Sequence, residues 1–206
     1  MVIQFFGESC FRIQAREAVI VIDPFGKITG LRVPPMKADI LLMSGFGDLD
    51  RDRVKPLAET MMVIDSPGEY ETKGVFIYAL AGVRSTFFIV RAEDMDIAHF
   101  AGALEDLSPK HLEQANSIDI ALVPVGGGEG AHAVLSAAQA DALIAQIEPR
   151  VVIPMNFSID GLKIRRDDKA KFLKETGSSG VEEMGKYTLK KKDLQGEDLR
   201  VILLKP

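Results

Sequence analysis

The polar residues of this sequence that could form a binding or catalytic site follow predicted buried strands, at the points where those strands end. Five apolar runs end in this way, and the segments that follow them are Asp23-Pro24, Ser44-Gly45, residues 65–69, residues 126–128 and Asn156. In sheets covered by helices, ligands bind at the carboxyl ends of strands, where loops gather polar groups. The sequence therefore predicts a site at one rim of a sheet, although at any single exit glycine and proline could serve only to turn the chain.

Other residue types of chemical interest give weaker signals. The glycine-rich stretch at residues 126–130 has neither the lysine of a P-loop nor a G-x-G-x-x-G spacing tied to a later acidic residue, so it is a weak phosphate cradle. Of the three histidines, His111 lies at a predicted helix start and His132 in a Gly/Ala-rich loop, and both are predicted to be surface residues. Cys10 lies in an apolar strand and is predicted to be a core residue.

The elements that must position the site are strands first and then an alternation of helices and strands. Short apolar runs predict strands at residues 2–6, 10–14, 18–23, 38–43, 61–64, 69–79, 87–90, 96–100, 118–125, 151–154 and 199–204. Helices are predicted at residues 51–59, from Ser108-Pro109 onward, after the Ser136–Gln139 capping box, and at residues 167–176. No linker divides the chain, which predicts a single domain over residues 1–206 with two sheets packed face to face and helices outside.

Composition excludes several classes of protein. With 206 residues, 47% of them hydrophobic, the chain can bury a substantial core. No apolar run approaches the about 18 residues that cross a bilayer, and the first residues are typical of a strand and not of a signal peptide. The single cysteine rules out an internal disulfide and favours the cytoplasm. We therefore expect no membrane association.

The charge distribution argues against nucleic acid as a partner. The formal net charge is −5, which disfavours binding to a phosphate backbone. The basic run at residues 190–192 lies beside Asp193, so we interpret it as a solvated face and not as a nucleic-acid patch.

Several segments resemble, in order, the L-ascorbate-6-phosphate lactonase-like branch of the metallo-β-lactamase superfamily. They are residues 7–11 (GESCF), 22–25 (IDPF), 38–44 (ADILLMS), 67–71 (PGEYE), 74–77 (GVFI), 118–127 (IDIALVPVGG) and 149–155. The resemblance spans the chain up to about residue 165. It implies a mixed α/β fold, the four-layer αββα sandwich, with an active site at the edge where loops of the two sheets meet.

The same resemblance shows that the metal-binding motif is degenerate. Where relatives carry Ser-His-x-His-x-Asp-His, this chain reads SGFGDLD at residues 44–50. Gly45 and Gly47 replace the paired imidazoles, Leu49 replaces the metal-binding aspartate, and Asp50 replaces the last histidine.

Three further motifs of the family are altered as well. The His-x-Gly-Asp segment keeps His99 but has Gly102 in place of the carboxylate. The Pro-Met-His segment ends in Asn156, and the Gly-His-Ser segment contains Glu8 in place of histidine. His99 is the first histidine of the chain, so no shift in alignment restores the motif. A catalytic zinc needs about three protein ligands, and glycine offers no donor atom. The sequence therefore predicts that zinc binding is lost.

The polar residues that remain near the expected rim leave alternatives open. Glu8, Asp48, Asp50, His99 and Asn156 could hold Mg²⁺, Mn²⁺ or Ca²⁺, which favour oxygen ligands. Asp48 and Asp50 could instead cap the following helix. We predict that His99 is a residual histidine hydrogen-bonded at the pocket floor. A nucleophile pair of Ser44 with His99 is a further alternative, for which no orienting third group can be named.

These observations predict a metal-free, catalytically inactive member of the fold that serves as a ligand-binding, regulatory or assembly module. The alternative is a hydrolase of a lactone, phosphodiester or other ester, with Glu8, Asp50 and His99 as ligands or acid/base groups. We expect no zinc cofactor and a small-molecule ligand of unknown identity. Because lactonase-like relatives are often multimers, the resemblance also implies a homo-oligomer.

Overall fold

Two mixed β-sheets packed face to face form the centre of the protein. The computed structural model describes residues 1–103, 117–196 and 198–206. The first sheet contains, in spatial order, β15 (Tyr187–Thr188), β1 (Val2–Gly7), β2 (Cys10–Gln14), β3 (Val19–Ile22), β5 (Ile40–Leu42) and β7 (Met62–Ile64). The second contains β16 (Arg200–Val201), β13 (Val151–Met155), β12 (Ile120–Pro124), β11 (Met95–His99), β10 (Thr86–Ala92), β9 (Val75–Ala81) and β8 (Gly68–Thr72).

The three strands predicted at the start of the chain are confirmed, and β1, β2 and β3 pair in order as an antiparallel meander. β1 alternates half-buried and buried residues, which places Ile3 and Phe5 on the face that packs against the second sheet. The turn to β2 needs left-handed backbone, which Gly7 supplies at φ 113° and Glu8 adopts at φ 48°. β3 pairs in parallel with β5, and β5 pairs in parallel with β7, so the carboxyl ends of these three strands lie at the same rim.

Helices cover the outer face of the second sheet, as predicted. Helix α1 (Ala137–Ile147) begins at Ser136, whose side chain and that of Gln139 form the predicted capping box. Its buried stripe joins the main core, and α2 (Lys169–Glu175) packs beside it. The mixed α/β class and the sandwich fold predicted from the sequence are confirmed.

The outer face of the first sheet is covered differently within the described residues. A second apolar cluster there packs under the short parallel strands β4 (Met36–Ala38) and β6 (Val54–Pro56). The predicted helix at residues 51–59 is wrong: a 3₁₀ turn at Arg51–Arg53 leads directly into β6. Pro56 explains the difference, because proline lacks an amide hydrogen and disfavours helical backbone in the residue before it.

Two segments that were each predicted as one strand form two strands in the structure. Residues 69–79 fold as the hairpin β8–β9, because Lys73 (φ 51°) and Gly74 (φ 70°) form its turn. Residues 199–204 divide between β16 and β17 (Leu203–Leu204), and β17 pairs with β14 (Glu183–Met184) in a separate two-stranded sheet. The helix predicted from Ser108-Pro109, together with His111, lies outside the described residues. In the described part of the chain, no helix is long and apolar enough to span a membrane.

One buried carboxylate fastens the β8–β9 hairpin to the first sheet. Asp39, which precedes β5, accepts hydrogen bonds from the Lys73 ammonium in the hairpin turn and from the amide of Val19 at 2.8 Å. Burial tends to raise the pKa of Asp39, but these hydrogen bonds and the Lys73 charge outweigh it and hold the pKa below its ordinary value.

We predict that Asp39→Asn lowers the free energy of unfolding by roughly 1 kcal/mol at neutral pH, because a charge-assisted hydrogen bond to a half-exposed lysine is lost. A carboxyl group whose pKa is lower in the folded than in the unfolded protein stabilises the fold at pH values above its unfolded pKa of about 3.9. This stabilisation is lost as the pH falls through the pKa of the folded state. The wild type and the variant should therefore converge in acid. Urea unfolding at several pH values measures this, with the exposed Asp65→Asn as control. A difference that is constant from pH 7 to pH 3 would contradict the assignment.

Candidate functional site

The loops at the ends of the central strands meet at one rim and connect the two sheets there. The turn between β1 and β2 receives two hydrogen bonds from the second sheet: the Asn156 amide donates to the Glu8 carbonyl, and His99 Nε2 donates to the Ser9 carbonyl, both at 2.9 Å. The loop after β5 is fixed by a bond from the Thr86 amide to the Ser44 carbonyl at 2.8 Å. The structure thus brings Glu8, Ser44, His99 and Asn156 to a common rim. Ser44 and Asn156 follow predicted strand exits, and Glu8 and His99 lie there as the resemblance implies.

A buried ion pair occupies the centre of this rim. The Arg166 guanidinium donates to the Glu8 carboxylate from Nη2 at 2.7 Å and from Nε at 3.2 Å. Nη1 of Arg166 donates to the carbonyl of His132. The Arg166 side chain has no exposed surface, and only 8% of the Glu8 side chain is exposed. A charge-assisted, bidentate pair of this kind is strong and geometrically specific.

Asn156 completes the arrangement around Glu8. Its Nδ2 donates to Glu8 Oε2 at 3.2 Å, so that carboxylate oxygen accepts from both an amide and a guanidinium. Glu8 (φ 48°) and Asn156 (φ 54°) both have left-handed backbone, which costs energy for residues with a Cβ. Within the described residues, Asn156 Oδ1 and His99 Nδ1 are buried acceptors without a hydrogen-bond partner.

A second buried polar group lies behind the rim. Asp23 accepts from the Ser44 hydroxyl at 2.6 Å and from the Ser44 amide at 2.7 Å. Burial raises the pKa of Asp23, and the hydrogen bonds from Ser44 partly offset this. Burial also lowers the pKa of His99, which favours the neutral imidazole. Since the Ser44 hydroxyl bonds Asp23 and the ring of His99 bonds Ser9, the structure does not form the Ser44–His99 pair that the sequence left open.

The loop that replaces the metal-binding motif has a backbone suited to glycine. Gly45 and Gly47 have φ values of 78° and 82°, which disfavour any residue with a Cβ. Leu49 lies against Phe25 in an isolated β-bridge, and the Gly26 amide donates to the Asp48 carbonyl at 2.7 Å. The loop therefore folds back onto the segment after β3 and closes the space between them.

Phe46 fills the space next to Gly102. A Cβ built on Gly102 would lie 2.6 Å from the Phe46 ring, so no larger residue fits there while the ring stays in place. The guanidinium of Arg84 lies 5.3 Å from the centre of the same ring. Arg84 also donates to the carbonyls of Ala131 and Ala133, which ties the Phe46 loop to the loop after β12. An aromatic ring thus occupies the space beside the position where the resemblance implies a ligand carboxylate.

Asp48 and Asp50 act as backbone caps. Asp50 begins the 3₁₀ turn Arg51–Arg53, where it accepts from the Asp52 amide at 3.1 Å and from Arg53 Nε at 3.0 Å. Asp48 accepts a hydrogen bond from the Ile28 amide at 2.8 Å. Ile28 belongs to a different 3₁₀ turn from the one expected. The capping alternative that the sequence left open is therefore seen for Asp50, at a 3₁₀ turn in place of a helix, whereas Asp48 does not cap the turn that follows it.

The described residues leave little space between the sheets at this rim. They border a cleft of about 10 Å³, lined by Glu8, Phe25, Phe46, Leu49 and Arg166 among others. A single water molecule needs about this much room. We name this space the inner cleft, and with the described side chains in these positions it is too small for a lactone or a phosphodiester.

The residues present do not fit the metal that the fold family implies. Glycine and leucine supply no donor atoms, Asp50 is engaged with its own turn, and Glu8 is already neutralised by Arg166. Among residues 1–103, 117–196 and 198–206, no three histidine, cysteine, aspartate or glutamate side chains are grouped so that they could hold a metal ion.

Sequence reasoning missed Arg166 and Phe46. Neither occupies a position where the resemblance implies a metal ligand, so comparison of motifs gave no signal for them. Cys10 is fully buried and His132 is exposed, as predicted.

Comparison with known proteins identifies the fold independently. A profile of the beta-lactamase superfamily domain matches residues 2–156. A solved structure from Thermotoga maritima, assigned to the Zn-dependent hydrolases of the metallo-β-lactamase superfamily, is 25% identical, with a TM-score of 0.81 over 99% of this chain and 98% of the other. The metallo hydrolase Igni18 from Ignicoccus hospitalis is 17% identical, with a TM-score of 0.64 over 92% and 99% of the two chains. Comparison with curated protein sequences gives no match.

We predict that Arg166→Met lowers the free energy of unfolding by about 3–5 kcal/mol, because it leaves the Glu8 carboxylate buried without a counter-charge. The double variant Glu8→Gln/Arg166→Met should lose less than the sum of the two single losses. Urea unfolding, monitored by circular dichroism, measures the loss for Arg166→Met, for Glu8→Gln and for the double variant.

The matched control for this prediction is Lys171→Met, which removes the exposed partner of Asp167. Its cost should stay below about 1 kcal/mol. Equal losses for Arg166→Met and Lys171→Met would show that the buried pair does not stabilise the rim.

Proposed function

The chain belongs to the beta-lactamase superfamily, and we propose that within it this protein acts by binding a ligand without a metal ion and without hydrolysis. The observation that carries the proposal is the buried Glu8–Arg166 pair beside an inner cleft of about 10 Å³. Asn156 stands where the resemblance implies a metal-ligating histidine, and Glu8 stands at the pocket rim where the resemblance implies another histidine. A guanidinium held against Glu8 already supplies the positive charge there.

Electrostatics supports this proposal. A divalent cation close to Arg166 would meet like-charge repulsion inside a site of low dielectric constant, where such repulsion is strong. The carboxylate that could attract the cation is neutralised by the same arginine. The chain resembles the lactonase-like branch, but its metal-binding motif is degenerate. We therefore infer that Arg166, and not a metal ion, holds the loops of this rim together.

A hydrolase with a different metal site is the second candidate, and one observation favours it. His99 Nδ1 and Asn156 Oδ1 are acceptors without partners in the described part of the chain, and a buried acceptor normally binds a donor, a water or a cation. Asp50 does not strengthen this candidate, because its carboxylate oxygens bond Asp52 and Arg53.

One preparation can separate the two candidates. We predict that plasma mass spectrometry on purified protein finds well below one metal ion per chain. We also predict that generic ester and phosphodiester substrates are turned over at the same background rate with and without added Mn²⁺ or Mg²⁺.

The matched variants are His99→Ala and Asp50→Ala, which remove the two residual candidates for catalysis. The proposal predicts that the wild type and both variants share one background rate. A tightly bound, stoichiometric metal, or a metal-dependent rate that either variant abolishes, would replace the proposal with the hydrolase.

A further inference from the structure

A larger cleft opens on the outer side of the rim. It has a volume of about 550 Å³, within the range of small-molecule sites, and we name it the outer cleft. Its lining residues are Ile28, Gly128, Glu129, His132, Lys163, Ile164, Arg165, Arg166 and Asp167. His132, Ile164 and Arg166 border both clefts, so the outer cleft lies directly beside the closed inner one.

One wall of the outer cleft alternates between buried and exposed residues. Arg166 is buried against Glu8, and Ile164 is half-buried beside the inner cleft. Lys163 and Arg165 are exposed. This segment therefore directs one cation to the protein interior and presents two others at the outer cleft.

The charges that line the outer cleft do not cancel. Asp167 is paired with Lys171 at 2.8 Å, and Arg166 is paired with Glu8. In the part of the chain that the structure describes, neither Lys163 nor Arg165 forms a salt bridge, and Glu129 is the one lining carboxylate without a cationic partner. Two uncompensated positive charges thus face one uncompensated negative charge, in a protein whose net charge is −5.

The opposite wall is held in place before any ligand binds. The loop after β12 is fixed by the Val134 amide, which donates to the Gly127 carbonyl at 2.9 Å, and by Arg166 and Arg84, which donate to carbonyls of residues 131–133. A wall fixed in this way lowers the ordering cost of binding.

We propose that the outer cleft binds a small molecule through a divalent oxyanion, held by Lys163 and Arg165. A phosphate monoester carries about −1.5 to −2 charges at pH 7, and a dicarboxylate about −2, so either balances two cations better than a monocarboxylate does. Arginine supplies a planar, two-pronged donor and lysine a point charge. The inference rests on the proposed function, because an active metal centre would place the ligand in the inner cleft.

The test is a titration of the full-length protein with inorganic phosphate and, separately, with malonate, at constant ionic strength maintained with sodium chloride. Calorimetry gives the dissociation constant, and amide NMR shifts show where binding occurs. We expect saturable binding with shifts at Gly128 and Arg165. Lys163→Gln and Arg165→Gln should each weaken it at least about fivefold, whereas Glu129→Gln should tighten it.

The control is Lys192→Gln, which removes the same charge from the basic run at residues 190–192, outside the cleft, and should leave binding unchanged. Tight binding of both probes, or of phosphate alone, supports the proposal and identifies the oxyanion. Binding that chloride displaces equally well, or that all variants weaken equally, would overturn it. A metal found in the same preparation would overturn the proposed function but not the cleft, because the cleft variants are assessed by binding alone.

Discussion

The Glu8–Arg166 ion pair is the interaction on which the rim of this protein depends. It joins the β1–β2 turn of the first sheet to the segment that follows β13 of the second, and Arg166 also bonds the loop after β12. Three loops from two sheets thus converge on one guanidinium. A buried pair of this kind is costly to break and specific in geometry, so it fixes the relative positions of the loops.

The replacements around this pair are consistent with one another. Phe46 fills the space beside Gly102, and Gly45 and Gly47 allow the left-handed backbone that brings Phe46 there. Arg84 then covers the Phe46 ring and holds the loop that Arg166 also holds. Within the described residues, the space beside Gly102 is thus filled by an aromatic ring, and the Glu8 carboxylate is paired with a guanidinium.

The sequence predicted the strands and the rim well, because buried strands and their polar exits leave a periodic pattern. The meander, the capping box of α1 and the meeting of Glu8, His99 and Asn156 all follow from that pattern or from the family resemblance. The prediction of a helix at residues 51–59 was wrong. The composition of this segment favours a helix, but one proline prevents helical backbone there. Arg166 could not be predicted, since it lies beyond the segments that carry the resemblance and its role depends on a contact with Glu8, 158 residues away in the chain.

We propose that an arginine takes the place of the metal, and a single measurement can decide this. A crystal of the protein grown with excess Zn²⁺, with data collected on both sides of the zinc absorption edge, addresses it directly. We predict no anomalous peak between the sheets and clear density for the Arg166 guanidinium against Glu8. An anomalous peak bound by Glu8, His99 or Asn156, with Arg166 displaced, would contradict it.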